Sequence, residues 1–296
     1  MNKKILHVMF SVMVICIFTN AVHAGGKILK MSTTTSTQAS GLLDILLPAL
    51  ERDTGIRVKV MAKGTGAAIR DGKDGNVDVI FVHAKAREEK FIEEGYGTKR
   101  YAIMHNDFII IGHKNDPAGI KDSVNAPQAL AKIARSGAFF VSRGDDSGTH
   151  TKEKALWEKS GIKLTNKTIT IVKNGKKINI NSLQPDGQWY ISLGQGMGKT
   201  ITYANEKQVY TLADRGTYIK YRYGSEQEID LVVLCEGDPW LNNPYGVIPI
   251  NPKKYPHVKY ELAEQFAKWL VSSKGQSIIA NYKLFGKQLF YPDAVK

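Results

Sequence analysis

Apolar residues along this chain follow two alternating rhythms. Runs rich in β-branched and apolar residues over 28–32, 56–62, 77–82, 139–142, 209–213, 229–235 and 245–250 read as strands, and 101–113 reads as one long extended segment. Between them, apolar residues recurring three and four apart predict helices over 42–53, 85–94, 126–136, 149–160, 197–207 and 259–270. The first of these carries Leu42, Leu43, Ile45, Leu46, Leu47 and Leu50 as a broad apolar face, and the last buries Leu262, Phe266, Trp269 and Leu270. Strand–helix alternation of this kind predicts an α/β fold with largely parallel sheets. One segment breaks the alternation. Over 162–182, Thr168-Ile169-Thr170-Ile171 and Ile178-Asn179-Ile180-Asn181 bracket Asn174-Gly175, the pattern of a β-hairpin.

The candidate chemistry lies where strands hand over to helices. Ser32-Thr33-Thr34-Thr35-Ser36-Thr37 places six hydroxyl residues in a row between the first strand and the first helix. With no hydrophobic period, the run is expected to contribute little to a core. It offers hydroxyl donors beside the backbone N–H groups that a helix start leaves unpaired, which suits a bound oxyanion. An ordinary helix cap needs one or two such residues, not six. The stretch Ser142-Arg143-Gly144-Asp145-Asp146-Ser147-Gly148-Thr149-His150 sits at a second strand–helix junction. Arg143 supplies a forked, fixed charge, Ser147 and Thr149 add hydroxyls, and Gly148 admits close backbone approach. Asp145 or Asp146 is expected to hold Arg143 or to cap the helix. Gly64-Thr65-Gly66 is a third, smaller loop of the same kind. An ionised group taken out of water costs on the order of tens of kcal/mol, so it needs many fixed partners. Charge-assisted hydrogen bonds return about 1.5–3 kcal/mol each, so roughly six to eight must converge. The two longer loops have that many donors.

Composition narrows the setting. Of 296 residues, 43% are hydrophobic and 23% charged, ordinary for a globular chain and enough for two modest domains. The one long apolar run is N-terminal: Lys3 and Lys4 precede an apolar stretch over 5–18, and Val22-His23-Ala24 places small residues at the positions a signal peptidase reads. Residues 1–24 are therefore expected to be a signal peptide cleaved near Ala24-Gly25, leaving the mature chain in the periplasm. That chain keeps 39 basic against 28 acidic residues and a single cysteine, Cys235, in an apolar run that reads as a buried thiol. Its lysines are spread rather than massed in one arm, which argues against nucleic acid. The densest cluster, Lys163, Lys167, Lys173, Lys176 and Lys177, falls on the hairpin and reads as a solvated basic face.

The blocks Thr33-Thr34-Thr35-Ser36 with Ser40-Gly41-Leu42-Leu43, the whole of 142–150, Gly196-Met197-Gly198 with Thr200, 210–218, and Asn243-Pro244-Tyr245-Gly246-Val247-Ile248 together resemble the tungstate-binding proteins of bacterial ABC transporters. The likeness covers nearly all of the mature chain. It implies a two-lobed type II periplasmic binding protein, with a mixed, mostly parallel sheet in each lobe, helices on both faces and the oxyanion in the cleft. Lobe one would be 25–107 plus 244–296, and lobe two 108–243. It also implies Thr33, Thr34, Thr35, Ser36, Thr65, Arg143, Ser147, Gly148 and Thr149 as ligand residues, with His83, Met197 and Thr200 as further cleft residues. The ligand would be tungstate, or molybdate of nearly the same size and charge. The partner would be a membrane permease, and the protein would act as a monomer without cofactor.

Three rival readings attach to the same residues. Gly194-Gln195-Gly196-Met197-Gly198-Lys199-Thr200 looks like a phosphate loop but has Leu193 where that motif needs glycine. Ser147 as the nucleophile of an exported hydrolase lacks the G-x-S-x-G elbow, and His150 beside it reads as a solvated helix residue rather than a base. Histidines 83, 105, 113, 150 and 257 show no close pair with metal-ligand spacing. A phosphate-binding protein of the same fold stands as the alternative within the binding class.

Overall fold

Strands β1 (Lys27–Thr34), β2 (Ile56–Lys63) and β3 (Val79–Val82) alternate with helices α1 (Thr35–Ala39), α2 (Leu43–Thr54), α3 (Thr65–Lys73) and α4 (Lys85–Glu93), of which the apolar rhythm predicts the strands, α2 and α4. The computed structural model describes residues 27–173, 176–224 and 229–294. The expected signal peptide and the Asn174-Gly175 turn lie outside them. The long extended segment is β4 (Tyr101–Gly112), followed by α5 (Ala126–Ser136), β5 (Phe140–Ser142), α6 (Gly148–Lys159) and the hairpin β6 (Leu164–Lys173) and β7 (Lys176–Pro185). The chain continues through β8 (Tyr190–Ser192), α7 (Met197–Lys207), β9 (Tyr210–Asp214), α8 (Arg215–Gly224), β10 (Val232–Cys235), β11 (Asn242–Pro249), α9 (Tyr260–Leu270) and α10 (Ser273–Asn281).

The main sheet runs β2-β1-β3-β11-β4-β9-β5-β8. Its flanks are parallel: β1 pairs with β2 and β3, and β5 with β8 and β9. In this sheet antiparallel pairing is confined to β4 and β11 and their neighbours. Tyr101 to Asp107 of β4 pairs with β11, whereas Phe108 to Ile111 pairs with β9. At that exchange Arg215 donates to both carboxylate oxygens of Asp107, from Nε at 2.5 Å and Nη2 at 2.6 Å.

Each half is covered on both faces. In β3, Val79 and Phe81 face one apolar cluster with α2 and α9, while Ile80 and Val82 face another with α3. In β4, Phe108 and Ile110 join the cluster against α5 and α6, and Ile109 and Ile111 join that against α7. Strands buried on both faces explain why these segments read as unbroken apolar runs. Local signals set the helix ends: Asn125 and Ser147 accept the first-turn amides of α5 and α6, and Gly55 and Gly137 end α2 and α5 at positive φ. Cys235 is buried, and burial pushes its thiol up to about 11.

Several elements were not legible. Helices α1 and α8 and the short β8 escaped the pattern because Ser, Thr and Tyr dominate their sequences, and α10 because its apolar residues are only the consecutive Ile278, Ile279 and Ala280. The hairpin forms as predicted, ten residues paired on each side, but apart from the main sheet. Its Thr168–Asn181 and Thr170–Asn179 side-chain bonds lie on one exposed face.

Replacing fully buried Ile110 by alanine is expected to cost about 2–5 kcal/mol in urea unfolding, the range for emptying a packed aliphatic site. A loss within error would show that β4 is not the shared core strand described.

Candidate functional site

Four strand–helix junctions, those after β1, β2, β5 and β8, open onto one cavity of about 490 Å³. Its walls include Thr34, Thr35, Ser36, Gly64, Thr65, His83, Arg143, Ser147, Gly148 and Thr149, which takes in His83 and eight of the nine residues inferred as ligands. All of that group line the cavity except Thr33. Three helices of two turns or more, α3, α6 and α7, start at its wall. Gly64 and Gly196 precede α3 and α7 without any side-chain cap, which leaves their first-turn amides available to a cavity ligand.

The hydroxyl run divides by the side each residue faces. Thr33 turns inward, its Oγ1 donating to the Phe81 carbonyl at 2.7 Å, and Ser32 donates to Asp71 at 2.8 Å. Both are fully buried, and so is Thr37, so the expectation that this run adds little to a core does not hold. A strand alternates faces, and β1 extends to Thr34. Thr34 caps α1 by accepting from Thr37 N at 3.1 Å. Thr35 and Ser36 are left toward the cavity.

On the opposite wall, Arg143 Nη2 donates to Asp145 Oδ2 at 2.6 Å and Nη1 to Thr149 Oγ1 at 3.4 Å. Arg143 Nε is buried without a partner among the described residues. Asp145 also accepts from Ser147 N at 3.2 Å, so of the two acids it is the one that holds the arginine, while Ser147 caps α6. The loop is anchored from below by fully buried Glu153, which accepts from Ser142 Oγ, Trp157 Nε1 and Tyr190 OH at 2.7, 3.1 and 2.7 Å. Ser142 Oγ in turn accepts from Gly144 N, at a residue whose φ of 59° suits glycine. Burial pushes the Glu153 carboxyl up to about 7.

His83 follows β3 and is 8% exposed. Its Nε2 lies 3.2 Å from both Thr34 Oγ1 and Ser36 Oγ, its Nδ1 lies 2.9 Å from Asn243 Oδ1, and its ring stacks on Tyr245 at 4.6 Å. Burial holds its pKa below the usual histidine value. The two walls touch here: a Cβ on Gly148 would stand 3.2 Å from His83 Cε1 and 3.3 Å from Thr65 Oγ1.

Other inferred residues fall elsewhere. Thr200 is fully buried, its hydroxyl donating to the Gly196 carbonyl at 3.2 Å, and does not line the cavity. Met197 lines an adjoining chamber of about 270 Å³ that shares Thr35, Ser36, Arg143 and Gly196. His150 is a correction: it is fully buried, not solvated, with Nδ1 accepting from Asp146 N at 3.1 Å and Nε2 3.3 Å from Ser182 Oγ of the hairpin. Burial pushes it down to about 4. Lys63, Gly194, Gln195 and Lys199 line the cavity but were not singled out. The glycine-rich stretch before a helix carried that signal, masked by its likeness to a phosphate loop.

Chemically, the cavity presents hydroxyls, helix-start amides and one guanidinium, which suits a small oxyanion. Among the described residues neither His83 nor the His150 ring is bonded to the Ser147 hydroxyl, which accepts a backbone amide instead.

Compared with known proteins, the chain matches the PBP superfamily domain over residues 21–274. It is 44% identical over 277 residues to the tungstate-binding protein TupA of Peptoclostridium acidaminophilum, covering 92% of this chain and 88% of that one. A solved structure of the tungstate-binding protein TupA from Desulfovibrio alaskensis G20 aligns with a TM-score of 0.76 at 44% identity, over 90% of this chain and 99% of the other. That of the tungstate ABC transporter from Geobacter sulfurreducens aligns with a TM-score of 0.72 at 47% identity, over 86% of this chain and 99% of the other.

The two buried groups on α6 act on stability with opposite signs. His150, held near 4 against an ordinary 6.5, contributes stability above pH 6.5 that is lost as pH falls through 4. Glu153, raised to about 7 from 4.5, contributes below pH 4.5 and loses that contribution as pH rises through 7. Glu153→Gln should therefore gain stability relative to wild type between those values, on the order of 3 kcal/mol in all, measured as melting temperature against pH. A pH-independent difference would contradict a buried, titrating Glu153.

Proposed function

The chain belongs to the PBP superfamily and to its tungstate-binding branch, and from that premise we propose that it captures tungstate between two lobes and delivers it to an ABC permease. The observation that carries this reading is the convergence of four strand–helix junctions on one cavity that contains Arg143. Tungstate is a tetrahedral dianion that accepts at every oxygen and donates nothing. The cavity matches it with Thr35, Ser36, Thr65 and Thr149 hydroxyls, the amides at Gly64–Gly66 and Gly196, and the Arg143 guanidinium edge. Molybdate presents the same contacts. Phosphate near neutral pH carries a proton and needs an acceptor; Asp145 is already occupied by Arg143 and Ser147, which leaves Asp146 alone for that task.

Lobe one is 25–107 plus 244–296 and lobe two 108–243, a division supported by the change of β4's partner between Asp107 and Phe108. Thr35, Ser36 and Thr65 then lie on one lobe and Arg143, Gly148 and Thr149 on the other. One anion bridges both, so only the closed form offers every donor, and ligand shifts the population toward it. The permease reads that closed form. The protein works in the periplasm after removal of 1–24, as a monomer and without turnover.

Calorimetric titration with tungstate, molybdate, sulfate and phosphate tests this. Tungstate and molybdate should bind tightest, and Arg143→Ala should weaken them by about 2–5 kcal/mol, the loss for removing one partner of a desolvated charge pair. Phosphate binding tightest would overturn the ligand assignment, and an Arg143→Ala effect within error would remove that residue from the site.

A further inference from the structure

His83 lies between the hydroxyl wall, Asn243 of β11 and the Gly148 loop of the opposite wall. Asn106 and Asn243 face each other across β4 and β11, beside the point where β4 changes partner. Asn243 Nδ2 donates to Asn106 Oδ1 at 2.7 Å, which turns Asn243 Oδ1 toward His83 Nδ1 at 2.9 Å. A carbonyl oxygen only accepts, so Nδ1 carries the imidazole proton. Nε2 then presents a lone pair, and the groups within reach of it are the hydroxyls of Thr34 and Ser36.

We propose that His83 is a positioning residue of the oxyanion site, locked by Asn243 and Asn106 as the Nδ1–H tautomer so that Nε2 draws in one hydroxyl proton of the Thr34–Ser36 pair. Thr34 Oγ1 is 2.6 Å from Thr37 Oγ1 and 3.0 Å from Ser36 Oγ, and accepts from Thr37 N. With its own proton given to His83, Thr34 accepts from Thr37 N and Thr37 Oγ1, which fills its two lone pairs and leaves the Ser36 proton directed to the ligand. The wall that results is all donor, which suits an oxyanion carrying no proton. The same ring edge meets Gly148 as the walls come together, so an imidazole that swung away would disturb the hydroxyls and the closure at once. Its burial, together with Arg143, disfavours the charged ring; Asp214 is the opposing charge that favours it. The inference rests on the oxyanion reading above and adds how one wall is oriented.

Two variants split the ring's two bonds. His83→Asn keeps a donor near Asn243 but loses the acceptor for the hydroxyls; His83→Gln reaches the hydroxyls with its carbonyl but loses the locked tautomer partner. Tungstate titration should show about tenfold or greater loss for His83→Asn and about threefold or less for His83→Gln, the scale of one misdirected hydrogen bond plus the donors it orients. Equal losses in both, or unchanged binding in His83→Asn, would overturn the proposal. Should either variant fail to fold, nitrogen-15 NMR of wild-type histidines decides: His83 protonated at Nδ1 supports it, and protonation at Nε2 or at both nitrogens overturns it. That spectrum needs no ligand. Should the wild type bind phosphate and not tungstate, the ligand assignment fails while the variants, titrated with phosphate, still test His83.

Discussion

A small dianion gives up a large hydration energy on entering a protein, and only a crowd of fixed donors in a confined space offsets it. Nearly every unusual feature of this chain answers to that constraint. The donors must be numerous, so hydroxyl residues stand in a row. They must be close together, so the four junctions that supply them lie at the C-terminal ends of two parallel pairs, β1 with β2 and β5 with β8, that open onto the same cavity. They must leave room for backbone approach, so Gly64, Gly148 and Gly196 stand at three of those junctions. Arg143 is the one guanidinium on the wall, Lys63 and Lys199 stand beside it, and the helix starts add further positive potential.

The arginine itself is constrained as tightly as the ligand would be. Asp145 holds its outer nitrogen, Thr149 accepts from the other, and the loop below is tied through Ser142 to a glutamate that is neutral up to about pH 7. A protonated Glu153 fixes the loop and adds no negative charge beside Asp145. Across the cavity, neutral His83 plays a matching part, tying hydroxyls to the strands that cross between halves. Both walls are thus built on buried, hydrogen-bonded groups whose charge is suppressed by burial.

Much of this was legible because periodicity reports burial. Strands covered on two faces are long apolar runs, and helices of α/β layers carry a broad apolar face, so the order of elements could be read directly. The loops were legible for another reason: six hydroxyls in a row exceed what one helix cap needs, even though Ser32, Thr33 and Thr37 prove to be buried in the core. What could not be read was the direction of each side chain. Thr33 and Thr35 are identical residues two apart, and only the end of β1 and the start of α1 send one to the Phe81 carbonyl and the other to the cavity. Thr200 was inferred as a cleft residue and bonds its own helix instead, and His150 pairs with a hairpin serine that no local pattern connects to it. Helix α8 was invisible because Thr217, Tyr218, Ile219 and Tyr221 favour strands, and its helical state depends on packing.

The central claim is a position: one metalate between the hydroxyl wall and the arginine loop. Anomalous diffraction at a tungsten absorption edge, from crystals grown with tungstate, locates that atom without reference to any assumed contact. A single strong peak ringed by Thr35, Ser36, Thr65, Arg143 and Gly148 is the expected result. A peak elsewhere, for example in the cavity beside Asp107 of β4 and Arg215 of α8, would contradict it.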